Sequence, residues 1–147
     1  MKKMPLVIPD AIIKEIAETL DMGMVCYYHK QTGELESHPN EMMDEELWQD
    51  VIDKVEENEE DYLQFEPMES HESFRIIEDF IREIPDESIQ QQFYEVIQRR
   101  KPFQEFKNLL PDYPDLRQQW FAYKEQRHIE YVKDQVAFYN GEIRDVE

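Results

Sequence analysis

The chain has 147 residues, of which 40% are hydrophobic and 12% aromatic, and its formal net charge is -19. A chain of this length and composition can bury one substantial core, so we expect a single domain over residues 1–147. The acid excess is greatest at the start, where residues 1–70 contain 5 Lys and Arg against 19 Asp and Glu. This charge disfavours non-specific binding to nucleic acids and anionic membranes, because such binding needs a positive surface field.

The cysteine content and the apolar segments indicate the compartment. Cys26 is the only cysteine and lies in an apolar run, which suits a reducing cytosol. The apolar run Leu6 to Ile8 is too short for the core of a signal peptide. No later segment is long enough to span a membrane. These features predict a cytoplasmic protein with no membrane partner.

A helix and a hairpin are the first elements predicted along the chain. The pair Pro9-Asp10 begins a helix whose apolar residues recur at helical spacing, and Gly23 is placed to end it. The segment Met24 to His29 favours extended backbone and is predicted as a strand. A turn at 31–33 leads into a short extended segment at 34–37, so we expect a hairpin.

A second helix and a third strand follow the hairpin. Asp44 is of a residue type favoured at an N-cap, and the helix after it ends in the acidic run Glu56 to Asp61. One face of this helix is apolar and carries Leu47, Trp48, Val51, Ile52 and Val55. The segment Tyr62 to Glu66, which Pro67 ends, is predicted as the third strand.

The second half of the chain is predicted to be helical. Proline-containing separators at 85–86, 101–102 and 111–114 divide it, because proline ends helices and restricts the residue before it. The predicted helices are 70–84, 87–99, 102–110 and a long one from Asp115 towards Tyr139, which counts as two if it breaks near Arg127.

Together these elements predict an α+β fold. A small antiparallel sheet of about three short strands, with two helices, forms an acidic α/β part at 1–67. This part packs on a C-terminal group of four to five helices at 68–147. No repeat and no low-complexity linker separates the two parts.

The histidines do not form a metal-binding motif. His29, His38, His71 and His128 are dispersed and show none of the short ligand spacings of a zinc site. The acidic run at 56–61 lacks the glycine and the alternating ligands of a calcium loop, and is typical of a solvated helix end. We therefore predict no metal site and no cofactor.

No catalytic constellation is visible in the sequence. Cys26 and His29 lie three positions apart on a predicted strand, so they project to opposite faces and cannot form a nucleophile and base pair. The three glycines are isolated, which excludes a glycine-rich phosphate loop. We therefore favour a non-enzymatic protein, and keep an enzyme with a polar pocket formed by the fold as a third interpretation.

The composition reverses in the stretch 99–107. Four of the sixteen basic residues lie there, interleaved with phenylalanine: the candidate binding residues are Arg99, Arg100, Lys101, Phe103 and Lys107. One interpretation is that these cations neutralise acidic neighbours from the N-terminal half of the chain. The other is that they form a surface for an anionic or protein partner.

Three blocks of the second half resemble the signature of a known family. They are Ser70 to Ile81, which contains Glu-Asp-Phe; Lys101 to Lys107, which contains Phe-x-x-Phe-Lys; and Leu116 to Phe121, which contains Arg-x-x-Trp. In this order they resemble the uncharacterised bacterial protein family numbered 0158, and the hairpin Tyr27 to Leu35 is similar too. The resemblance implies a cytoplasmic bacterial protein with no established activity.

The residues that match these blocks suggest a structural contact between helices. They are Glu78, Asp79, Lys107, Arg117 and Trp120. We expect one of the two adjacent acids to pair with Arg117 or Lys107 across packed helices. This would be a structural clamp and not a catalytic dyad.

The leading functional hypothesis is a non-enzymatic binding or adaptor module in the cytosol with a protein partner. It rests on the absence of a catalytic motif and on the opposed acidic and basic regions. The alternative is a nucleic-acid-associated factor, which contacts RNA through residues 99–107 or mimics nucleic acid through its acidic half.

Overall fold

A computed structural model describes residues 5–41 and 44–141 of the chain. They form a three-stranded antiparallel sheet and six α-helices, which confirms the α+β class. The described residues divide into two compact units. The sheet unit holds the residues up to Met68 and those from His128 onward, and the helical unit is Glu69–Arg127.

The sheet unit begins with the predicted helix and hairpin. Its elements are α1 (Asp10–Asp21), β1 (Met24–His29), β2 (Leu35–Pro39), α2 (Gln49–Glu57) and β3 (Tyr62–Phe65), with short 3-10 helices at Glu45–Trp48 and Glu59–Asp61. Asp44 caps the first 3-10 helix, because its carboxylate accepts a hydrogen bond from the backbone N–H of Glu46 at 3.2 Å. The helix predicted after Asp44 therefore starts with a 3-10 turn before it becomes α-helical.

Four further helices follow: α3 (Ser70–Arg82), α4 (Glu87–Ile97), α5 (Pro102–Leu109) and α6 (Pro114–Tyr139), with a 3-10 turn at Leu110–Asp112. Prolines occupy the first positions of α5 and α6, where the missing N–H costs no helical hydrogen bond. Asp86 caps α4 by accepting from the N–H of Ser88 at 2.9 Å. Helix α6 runs unbroken through Arg127, so the break left open by the sequence is absent.

The sheet has the strand order β2-β1-β3, and each neighbouring pair is antiparallel. Cys26 lies opposite Ser37 on one side and Phe65 on the other. Because side chains alternate along a strand, the residues in register with Cys26 share its face of the sheet. This face packs in a buried core with α1 and the end of α6, comprising Ile8, Ile13, Ile16, Ala17, Leu20, Cys26, Tyr28, Phe65, Val132 and Val136.

The helical unit has an aromatic core with one ring from each of its helices. Phe106 of α5 lies 4.9 Å from Trp120 of α6 and 5.5 Å from Phe93 of α4, measured between ring centroids. Phe80 of α3 completes the group at 5.3 Å from Trp120. All four side chains are buried. Edge-to-face and tilted contacts of this kind add to the stabilisation from apolar burial.

None of the helices that the structure describes combines the length and apolar character needed to cross a membrane.

We predict that truncating a ring in this core destabilises the helical unit strongly. Phe106 is 1% exposed, and Phe106→Ala should lower the free energy of unfolding by about 3–5 kcal/mol, since it removes ring contacts and leaves a cavity. Phe121→Ala is a matched control in the same unit, because Phe121 is 45% exposed and its loss should cost less than about 1 kcal/mol. Urea denaturation, monitored by near-UV circular dichroism, measures the free energy of unfolding of both variants. Equal losses of stability would contradict the assigned core.

Candidate functional site

The basic stretch forms the connection between α4 and α5. We call residues 98–101 the basic loop; it carries Arg99, Arg100 and Lys101, all exposed. Pro102 begins α5 and disfavours helical backbone at the residue before it, so Lys101 has φ -124 and ψ 72. The proline therefore separates the two helices and leaves three consecutive cations in an exposed loop.

Two classes of cation are found in the stretch 99–107. Arg99 donates to the carboxylate of Glu105 at 3.1 Å, so an acid of α5 neutralises it. Its partner is local to the helical unit and does not come from the N-terminal half of the chain. Arg100, Lys101 and Lys107 are exposed and have no ion-pair partner among the residues that the structure describes. These three side chains are the available cations of the site.

Phe103, the aromatic member of the predicted site, contributes to packing. Its ring lies edge-on to the ring of Phe74 in α3, with 6.1 Å between centroids, and the side chain is half-buried. The ring therefore helps to join α5 to α3. The exposed groups of the basic loop are therefore its cations.

The predicted clamp involves a different arginine. Asp79 accepts from Arg127 of α6 at 2.9 Å and from Arg82 of its own helix at 3.3 Å. The guanidinium of Arg127 also donates to the hydroxyl of Tyr123 at 2.7 Å. Burial opposes the charge of Arg127, but the hydrogen bonds to Asp79 and Tyr123 outweigh it and raise the pKa of Arg127 above its ordinary value.

The other predicted clamp residues lie elsewhere. Trp120 is buried in the aromatic core, and Glu78 is half-buried. The guanidinium of Arg117 lies over the exposed ring of Phe121, 4.8 Å from its centroid, and Lys107 is exposed. Asp79 therefore pairs with Arg127 and not with Arg117 or Lys107. The physical reason is that Phe80 contacts both Trp120 and Tyr123, which places the next turn of α6 beside Asp79.

The sheet unit contains a polar pair that the sequence analysis did not identify. The hydroxyl of Tyr27 lies 2.8 Å from Nε2 of His38, and Nδ1 of His38 lies 2.9 Å from the carbonyl oxygen of Pro39. A carbonyl can only accept, so Nδ1 carries the hydrogen and Nε2 accepts from Tyr27. Burial, followed by the charges of Glu66 and Glu56, raises the pKa of Tyr27, which keeps it a neutral phenol. Successive side chains of β1 point to opposite faces of the sheet, so the sequence could have placed Tyr27 on the face opposite Cys26.

Cys26 and His29 project to opposite faces of β1, as the spacing predicts. The thiol of Cys26 is fully buried, and burial with a smaller contribution from Glu15 raises its pKa to about 12. His29 instead organises the hairpin, because its Nδ1 accepts from the backbone N–H groups of Gln31 and Thr32 at 3.2 and 3.1 Å. The two side chains act separately, and each has a structural role.

One group of acids and a histidine has the composition of a metal site. Single ligand atoms of Glu69, His71 and Glu72 lie within 4.8 Å of one another at the start of α3. Glu69 and Glu72 already form a capping box with the backbone of this helix. Glu69 and His71 are also exposed to solvent. The group is explained as a helix cap.

The negative charge is concentrated in the sheet unit. The sequence of this unit has 7 Lys and Arg against 23 Asp and Glu, whereas the helical unit has 9 against 12. Within the sheet unit, the segment 44–61 has ten acids and one base, Lys54, which pairs with Glu36 at 2.6 Å. The available cations of the basic loop therefore lie on the less acidic of the two units.

Comparison with known proteins identifies the relatives of this chain. The model of the uncharacterised protein family UPF0158 matches residues 3–140. The chain belongs to this family. UPF0158 protein PA5073 of Pseudomonas aeruginosa is 33% identical over 124 residues, which are 83% of this chain and 78% of that protein. No solved structure matches.

This result confirms the family that the three sequence blocks and the hairpin resemble. The names of the UPF0158 family and of this relative state no activity.

We predict that the native thiol is unreactive. The thiolate is the reactive form of cysteine, and a pKa of about 12 leaves almost none of it at pH 8. Native protein should not react with Ellman's reagent at this pH, whereas urea-unfolded protein should release one equivalent of thionitrobenzoate.

The same shift has a consequence for stability. Folding raises the pKa of the Cys26 thiol from 9.0. The stabilising contribution of the protonated thiol is therefore complete below pH 9 and is lost as the pH rises towards 12. Rapid reaction of the native protein at pH 8 would contradict this placement of Cys26.

We predict unequal effects for the two arginines bound to Asp79. The side chain of Arg127 is 27% exposed and has two partners, so Arg127→Ala should lower the free energy of unfolding by about 1–2 kcal/mol. Arg82→Ala removes an exposed contact with the same carboxylate and should cost less than about 0.5 kcal/mol. Urea denaturation compares them, and equal effects would contradict the assigned clamp.

Proposed function

We propose that this protein is a non-enzymatic binding module of the cytoplasm that holds the acidic surface of a protein partner at its basic loop and at Lys107 of α5. The observation that carries the proposal is the set of three exposed cations, Arg100, Lys101 and Lys107, without ion-pair partners among the described residues. Exposed charges of one sign attract a surface of the opposite sign. Among the described residues, Glu105 is the acid bonded to the loop, and it is occupied by Arg99.

The location of these cations supports their use in binding. The whole chain carries -19, so a negative partner is repelled by most of the molecule and is guided towards the less acidic helical unit. Exposed ion pairs contribute little to affinity one by one, whereas charge complementarity selects the partner and its orientation. We therefore assign the basic loop to partner selection.

The side chains of the sheet unit also support binding over nucleophilic catalysis. Cys26 is held as a buried thiol, and Tyr27 is held as a phenol that donates to His38. A single cysteine suits the reducing cytoplasm.

The nucleic-acid alternative is supported less well. Contact with single-stranded RNA uses aromatic rings on which bases stack, whereas the ring of Phe103 is engaged with Phe74. Mimicry of nucleic acid has a specific basis in the ten acids of segment 44–61, most of them exposed. It would recruit a basic partner to the sheet unit and would not use the basic loop.

Affinity capture from the native lysate tests the proposal. A tagged full chain should retain a protein partner after nuclease treatment, and Arg100→Glu with Lys101→Glu should reduce the amount recovered by about tenfold or more, because repulsion replaces attraction. The bound proteins are identified and quantified by mass spectrometry.

The control is the double variant Arg75→Glu with Lys133→Glu, which changes two exposed cations outside the loop and produces the same net charge. It should retain the partner. Equal loss in both double variants would contradict a specific loop site, and loss of the partner on nuclease treatment would favour the nucleic-acid alternative.

A further inference from the structure

The side chain of Asn140, directly after α6, bonds through both of its polar atoms to one residue near the start of the chain. Its oxygen accepts from the backbone N–H of Leu6 at 2.8 Å, and its nitrogen donates to the carbonyl oxygen of Leu6 at 2.9 Å. An amide side chain offers both an acceptor and a donor, so it satisfies both backbone groups of Leu6. A carboxylate could satisfy the N–H alone, because it has no hydrogen to donate.

These bonds hold a short segment that precedes α1. We call residues 5–8 the strap; they form no regular secondary structure. Ile8 is 4% exposed within the core of the sheet unit, and the side chain of Leu6 packs against this core. Apolar burial at Ile8 and the two hydrogen bonds of Asn140 therefore keep the strap in place.

The residue after Asn140 makes this asparagine chemically distinct. Of the four asparagines of the chain, Asn140 alone precedes a glycine, whereas Asn40, Asn58 and Asn108 precede Glu or Leu. Gly141 has φ +76, the left-handed conformation that commonly ends a helix. Because glycine has no Cβ, nothing on Gly141 hinders its backbone nitrogen from reaching the neighbouring amide. The glycine that ends α6 therefore also makes Asn140 the asparagine most open to deamidation.

We propose that Asn140 is a deamidation site and that its conversion releases the strap. The backbone nitrogen of Gly141 attacks Cγ of Asn140 and gives up its proton, and a new C–N bond closes a cyclic imide. The bond from Cγ to the side-chain nitrogen breaks, and that nitrogen leaves with the proton as ammonia. Water then adds to one of the two imide carbonyls and opens the ring to aspartate or isoaspartate. The net reaction consumes water and releases ammonia.

Both products disrupt the contact with Leu6. In aspartate an oxygen replaces the nitrogen that donated to the carbonyl of Leu6, so two acceptors face each other and the carbonyl loses its partner. In isoaspartate the side-chain carbons enter the backbone and move the carboxylate away. The new negative charge also lies at the C-terminal end of α6, where the helix dipole disfavours it.

The folded state controls the reaction. The N–H of Gly141 donates to the carbonyl oxygen of Phe138 at 3.0 Å, so the attacking nitrogen is engaged, as is the amide of Asn140. Attack therefore requires local opening of the strap and the helix end. Once the amide is converted, the strap cannot regain its original contact. The site is thus a one-way switch in the sheet unit, independent of the basic loop and beyond the function proposed for it.

The first experiment measures deamidation at each asparagine by peptide mass spectrometry after incubation of the full chain in mildly alkaline buffer. In urea, Asn140 should convert at least about tenfold faster than the other three asparagines, and Gly141→Ala should remove this difference because its methyl group hinders the attack. In native protein, Asn140 should still convert, but about tenfold or more slowly than in urea, since opening comes first.

The second experiment measures release of the strap by NMR hydrogen exchange of the Leu6 amide in 15N-labelled protein. Exchange should be about tenfold or more faster in Asn140→Asp and in deamidated wild-type protein, because the carbonyl of Leu6 is left unpaired. Asn108→Asp is the matched control. It adds the same charge at an exposed asparagine of α5 and should leave this exchange unchanged. The amide spectrum of each sample verifies that it is folded.

Each of three results would overturn the proposal. In urea, Asn140 could convert no faster than the other asparagines, which would remove the chemical basis of the site. Native protein could show no conversion at Asn140 while the urea sample converts fully, which would show that the fold never admits the reaction. Equal exchange of the Leu6 amide in Asn140→Asp and Asn108→Asp would show that the conversion does not release the strap.

Discussion

The mutual packing of four aromatic rings, one from each helix, is the constraint on which the helical unit depends. Successive residues of an α-helix are about 100° apart, so burying one ring decides the exposure of its neighbours. Because Trp120 is buried, Phe121 faces solvent, and because Phe106 is buried, Lys107 is exposed. The exposure of Phe121 and of Lys107 is therefore a consequence of the register that the aromatic core imposes, whereas Pro102 leaves Arg100 and Lys101 in an exposed loop.

The same register organises the charges of the unit. Phe80 packs against Trp120 and Tyr123, and one turn farther along α6 the guanidinium of Arg127 reaches Asp79. This pair is fully engaged and stabilises the contact between two helices. Arg100 and Lys101 of the basic loop differ in that they are exposed and have no ion-pair partner among the described residues.

In the sheet unit, the alternation of strand β1 separates packing from polar contacts. Cys26 and Tyr28 point into the core with α1 and α6, whereas Tyr27 lies on the opposite face and donates to His38. Burial keeps both Cys26 and Tyr27 protonated. Both side chains therefore contribute to the structure of the unit, and its excess of acids disfavours the approach of negative molecules.

The sequence alone determined the three strands and the ends of the helices at proline and Gly23, because periodicity, capping and proline act over a few residues. It also contained the three blocks that resemble the family. It also located the basic stretch, since composition needs no fold. Only the tertiary structure decided that Asp79 pairs with Arg127, 48 positions away, and that Arg117 lies over Phe121. Several cations compete for each acid in a sequence, and the choice among them depends on how the aromatic rings of different helices pack.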